Sequence, residues 1–146
     1  MKLFFSFLTS LFLSTSVFAD QGISDTEILV GMHTDISGPA SMIGKQSVDG
    51  ANMRFEEFNK KGGAYGRTIK FIVEDHQYTV PRAVQASNKL LRKDKIAFML
   101  GSLGTPMNNA VMTDQLSMNV PNLFPLTAAR SMFDPFHKLK FTSGST

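Results

Sequence analysis

Three unbroken apolar runs constrain this chain more than anything else in it: Ile28-Leu29-Val30-Gly31-Met32, Phe71-Ile72-Val73 and Ile96-Ala97-Phe98-Met99-Leu100. Each is short and bounded by polar or turn-forming residues, so each reads as a strand buried on both faces. The segments between them carry a different period. Val48, Ala51, Phe55 and Phe58 recur at spacings of three and four, which puts them on one helical face. Gly62-Gly63 would end that helix, because glycine accepts the left-handed conformation of a C-terminal cap. A second helix opens at Thr79 and Pro81, through a capping hydroxyl and a pre-set φ, with Ala83, Val84, Ser87, Leu90 and Leu91 as its inward stripe. A third starts at Thr105-Pro106 and runs to about Asn119. Short strands are expected at Val120 to Phe124 and around Leu139 to Phe141.

Strand and helix alternate throughout, which is the pattern of an α/β, Rossmann-like, doubly wound parallel sheet with right-handed crossovers. Ligands of such sheets lie beyond the carboxyl ends of the strands, where the strand order reverses. That rule selects three loops: His33 to Pro39, Gly101 to Thr105 and Pro125 to Arg130. The phenylalanines at 55, 58, 71 and 98 and the methionines are expected in the core.

The length of 146 residues suits one domain, and 42% hydrophobic with 18% charged residues is a globular balance. Met1-Lys2 followed by apolar and small residues up to Val17-Phe18-Ala19 reads as a cleaved signal peptide over residues 1–19. Removing Lys2 with it lowers the small formal charge of +3 by one, which argues against a nucleic-acid partner. Without cysteine there is no disulfide, no thiolate metal site and no lipid-anchored N-terminus. The chain ends at Ser143-Gly144-Ser145-Thr146, directly after the expected fifth strand, so residues 20–146 are expected to be a truncated first lobe with one sheet face uncovered.

The strongest local motif is Ser102-Leu103-Gly104-Thr105. Glycine lets backbone approach a ligand closely. The helix that follows offers unpaired amides and the positive end of its dipole. The Thr105 hydroxyl could cap that helix or bond a carboxylate. Other chemistry is missing from the sequence. There is no dinucleotide-binding glycine motif, no phosphate loop and no nucleophile elbow. His33, His76 and His137 lack metal-ligand spacing and read as surface or core residues. Glu74-Asp75 suits structural hydrogen bonding better than acid–base work. No catalytic residue, cofactor or metal site is therefore expected, and the chain is read as a non-enzyme.

The order Ile28-Leu29-Val30-Gly31, Ser37-Gly38-Pro39, Gly44, Gly50-Ala51, Phe58-Asn59 and Gly62-Gly63 resembles the opening of the type I periplasmic solute-binding family, the leucine/isoleucine/valine-binding group. The resemblance continues through Ile72-Val73-Glu74-Asp75, Pro81-Arg82-Ala83-Val84, Gly101 to Pro106, Val120-Pro121 and Asp134-Pro135. It implies two Rossmann-like lobes joined by a hinge, closing on a ligand and signalling to an ABC permease in the membrane. It further implies that Thr105 holds the ligand's carboxylate, with Ser102, Leu103 and Gly104 in the same loop. Thr127-Ala128 would supply a second loop, and Ile43 would border the cleft. Ile43 stands where amino acid binders often carry an aromatic residue, and Gly104-Thr105-Pro106 replaces a serine-rich loop. The expected ligand class therefore extends from branched-chain amino acids to similar small carboxylates. A periplasmic ABC-transporter binding protein is the function implied. A sensor's ligand-binding lobe, or a truncated product without activity, is the alternative.

Overall fold

The structure, a computed structural model, describes residues 21–142. The signal peptide expected over 1–19 and the tail at 143–146 lie outside the described residues. Five strands form one sheet: β1 (Glu27–Thr34), β2 (Thr68–Asp75), β3 (Phe98–Leu100), β4 (Asn122–Leu123) and β5 (Lys140–Phe141). Their order is β2-β1-β3-β4-β5, and all neighbours are parallel. Three helices connect them: α1 (Ser41–Lys60), α2 (Val80–Asn88) and α3 (Thr105–Ser117). The chain steps from β1 to β2 in one direction and from β2 to β3 to β4 in the other. Right-handed crossovers therefore put α1 on one face and α2 with α3 on the opposite face. The reversal point lies between β1 and β3.

The core sits under α2 and α3. Leu90, Leu91, Ile96, Met99 and Val120 are buried together, with Leu29, Ile72 and Met118 packed against them. Gly31 lets β1 approach this cluster: a Cβ there would stand 2.5 Å from Ile96 Cδ1. On the other face, Phe55 of α1 meets Phe71 of β2 edge to face at 5.3 Å. Asn59 fastens the end of α1 to the sheet edge. Its amide donates to the Ile69 carbonyl at 2.9 Å and its Oδ1 accepts from the Ile69 N–H at 2.8 Å. Gly62 and Gly63 close the helix with φ of +100° and +64°, and the Gly63 N–H donates to the Phe58 carbonyl.

Several expectations are corrected. β1 runs on to Thr34, because its ladder with β2 continues to the Thr34–Asp75 pair. β3 starts only at Phe98, since the Ile96 N–H turns back to the Leu90 carbonyl. After Asn88, α2 loosens into a π-helical turn, Lys89–Lys93, that carries Leu90 and Leu91 inward. Val84 is 37% exposed and Ala86 takes its place in the stripe. Met42 and Met53 are exposed on α1, and the four phenylalanines are half-buried. Thr79 does not cap α2; its hydroxyl donates to the His76 carbonyl instead.

Candidate functional site

The carboxyl ends of β1 and β3 meet at the reversal point, and the loops that follow are tied to each other. The Leu103 N–H donates to the His33 carbonyl at 3.2 Å, and the Leu126 N–H donates to the Ser102 carbonyl at 2.9 Å. Leu103 and Leu126 form a parallel bridge beyond the strands. The loops at 101–105 and 125–130 therefore share one rim. Buried Asn108 braces them from below, its amide donating to the Ser102 and Gly104 carbonyls at 2.9 Å each.

Gly104, at φ +94°, is the residue before the first turn of α3, and Thr105 is the first helical residue. No side chain caps this helix. The Thr105 hydroxyl instead shares a short hydrogen bond with the Thr127 hydroxyl. Thr127 Oγ1 also accepts the Ala129 N–H at 3.2 Å. Of the two readings of Thr105, capping is thus excluded. Each hydroxyl has one proton. Whichever threonine donates to the other, one hydroxyl proton is left to donate outward. The first-turn amides of Thr105 and Met107 have no intrahelical carbonyl, and Pro106 has no N–H at all. No acidic residue stands in that turn to neutralise the dipole.

The nearby carboxylates are committed to the loop after β1. Asp35, fully buried, accepts the N–H groups of Gly38 at 2.6 Å and Ala40 at 2.7 Å. Asp75 accepts from the Ile36 N–H at 2.9 Å, the Ser37 hydroxyl at 2.5 Å and the Gln77 N–H at 3.0 Å. Partial burial pushes the Asp75 pKa up, but these donors outweigh it and hold it below the usual carboxylate range. This is the structural hydrogen-bonding role expected of Asp75, while Glu74 pairs with Lys89 at 2.5 Å.

Beneath the rim lie two buried histidines. The rings of His33 and His76 lie 5.5 Å apart between centroids, tilted at 53° to each other. His76 accepts the Tyr78 N–H at Nδ1, at 3.0 Å, so its proton sits on Nε2 and donates to the Leu103 carbonyl at 3.1 Å. Burial lowers its pKa, against the opposing pull of the Leu103 carbonyl and of Asp35 and Asp75. His33 has no hydrogen-bond partner at either ring nitrogen. Burial, with His76 adding, pushes its pKa down to about 3.

The residues singled out in the sequence fall into two groups. Thr105 and Thr127 meet at the rim, Gly104 and Leu103 shape the loop under them, and Ala128 is exposed beside Thr127. Ser102 lies wholly inside, where its hydroxyl accepts the His33 N–H at 3.3 Å. Ile43 is half exposed in the first turn of α1. That turn is pressed onto the β1 loop, since a Cβ at Gly44 would lie 1.8 Å from the Asp35 carbonyl oxygen. Sequence reasoning missed His76 and Tyr78 as parts of this rim. Among the described residues no group of three or more His, Asp or Glu could hold a metal ion, and no helix is long and apolar enough to cross a membrane.

A rim with hydroxyl and amide donors at the reversal point of a parallel sheet lies where Rossmann-like folds place their ligands. The sequence model of the periplasmic binding protein family matches residues 27–135, and the chain belongs to that family. A Leu/Ile/Val-binding protein of Rhizobium johnstonii is 26% identical over 118 residues, which cover 78% of this chain and 31% of the relative. A leucine-, isoleucine-, valine-, threonine- and alanine-binding protein of Pseudomonas aeruginosa is 27% identical over 96 residues, 64% of this chain and 26% of that protein. The crystal structure of a substrate-binding periplasmic protein from Ralstonia solanacearum superposes with a TM-score of 0.74 at 26% identity. That match covers 80% of this chain and 33% of the other. The chain thus spans about a third of the length of its relatives.

Proposed function

We propose that residues 20–146 form the first lobe of an extracytoplasmic solute-binding protein of an ABC importer, exported through the segment 1–19. Its ligand is a branched-chain amino acid or a similar small carboxylate. The observation that carries this reading is the Thr105–Thr127 hydroxyl pair at the start of α3, with a hydroxyl proton to spare beside first-turn amides that have no intrahelical partner. Such a spot suits one small anion. The binding activities named for the relatives support the same ligand class and a role without catalysis. Leu103, Gly104 and Ala128 shape the spot, Ile43 borders it, and Ser102 anchors the loop from below.

The test is a ¹⁵N NMR titration of the mature chain with L-isoleucine, which detects the weak binding expected of an open rim. Shifts should centre on residues 103–107 and 127–129. Thr105→Val keeps the side-chain shape and removes the hydroxyl. It should weaken binding by roughly 1–3 kcal/mol, a factor of about 5 to 150. An unchanged affinity would remove Thr105 from the site.

A further inference from the structure

The loop after β2 reaches the same rim, and it brings an aromatic ring. Gln77 and Tyr78 both adopt left-handed backbone, with φ of +50° and +55°. Such conformations are unfavourable for bulky residues and persist only where the surroundings over-determine them. Here Asp75 accepts the Gln77 N–H, His76 Nδ1 accepts the Tyr78 N–H, and the Thr79 N–H donates to the His76 carbonyl. His76 also holds the Leu103 carbonyl through its other nitrogen, so one buried ring locks the two loops together. The outcome is a placed side chain. The Tyr78 ring lies over Gly104, with Cε2 3.2 Å and Cζ 3.6 Å from where a Cβ of that residue would be. A Cβ at 104 would be tight against this ring and would meet Met107 Cε at 2.2 Å, so glycine suits the position. Tyr78 is 41% exposed, and Gly104 directly precedes the threonine whose hydroxyl pairs with Thr127.

We propose that Tyr78 is the apolar wall of the site and selects ligands whose side chain can lie on its ring. This rests on the carboxylate reading of the Thr105–Thr127 rim. A carboxylate bound at the hydroxyls and first-turn amides places the remainder of a small ligand beside Gly104, where the partly exposed Tyr78 ring is the adjoining apolar surface. Stacking on that ring removes apolar area from water on both partners.

The test compares acetate, glycine and L-isoleucine by NMR titration of the mature chain in three forms: the natural chain, Tyr78→Ala and Tyr78→Phe. Acetate probes the carboxylate spot alone, glycine adds an ammonium group, and isoleucine adds the apolar side chain. The natural chain and Tyr78→Phe should prefer isoleucine to glycine by about 5-fold or more. Tyr78→Ala should lose that preference while acetate affinity stays within about 2-fold. An isoleucine preference that survives in Tyr78→Ala overturns the wall. So does an equal loss for glycine, which would mean that the ring face serves the ammonium group. If the natural chain responds to none of the three, the carboxylate reading falls and the wall with it.

Discussion

Acid should loosen this protein through His33. The ring is fully buried, and burial with the adjacent His76 pushes its pKa down to about 3. In an unfolded chain the same ring titrates near about 6.5. Between those values the unfolded state carries a proton that the folded state refuses. Stability is therefore full above the higher value and falls as pH drops through it, until the buried ring protonates in place near the lower one. One proton corresponds to about 1.4 kcal/mol per pH unit, so going from pH 7 to pH 5 removes about 2 kcal/mol through this residue alone. His76 is shifted the same way and adds to the slope. His33→Leu isolates the effect. It removes the titrating group and, with neither ring nitrogen bonded, strands no partner. Urea unfolding followed by circular dichroism at pH 7, 6 and 5 is the assay. The variant should lose about 2 kcal/mol less than the natural chain over that range and be at least as stable at pH 7. Parallel pH dependences in the two proteins would refute the argument.

Two glycines of α1 should respond in opposite directions to the same substitution. Gly44→Ala drives a Cβ into the Asp35 carbonyl at 1.8 Å. That carbonyl is rigid backbone, because the Asp35 carboxylate is itself held by two amides, so the expected loss is about 3 kcal/mol by thermal unfolding. Gly50→Ala meets nothing within 4 Å and should stabilise by up to about 1 kcal/mol through helix propensity. A Gly44→Ala protein that melts with the natural chain would mean that the first turn of α1 is not packed on the β1 loop.

The parallel order was legible because it rests on local pattern: apolar runs for strands, three-and-four spacing for helices, glycines where α1 stops. What the pattern misjudged was decided by hydrogen-bond partners outside each element. The run at 96–100 looks like one strand, yet the Ile96 N–H turns back to the Leu90 carbonyl, and regular pairing with β1 begins at Phe98. Thr79 and Thr105 both look like helix caps. In the fold each hydroxyl finds another acceptor or donor, His76 for one and Thr127 for the other. Capping competes with other hydrogen bonds of similar strength, a local one at Thr79 and a tertiary one at Thr105, and no local rule says which prevails.

The rim itself was half legible, for a related reason. The rule that ligands sit past strand carboxyl ends holds for every strand near the reversal point, β2 included. The loop after β2 is short, running from His76 to Thr79 between the strand and α2, and it presents no glycine or motif to mark it. Its importance comes from register. β1 and β2 run parallel with His33 opposite Glu74, so the residues just past each strand end are neighbours although far apart in sequence. Two histidines without any motif spacing thus meet under one rim, and the second of them fixes the loops on either side of it. Spacing rules detect ligands presented by a single element. A site assembled from the ends of adjacent parallel strands has no spacing to detect. In such a fold, pairing every buried polar residue at one strand end with those at the ends of its neighbours is the more informative search.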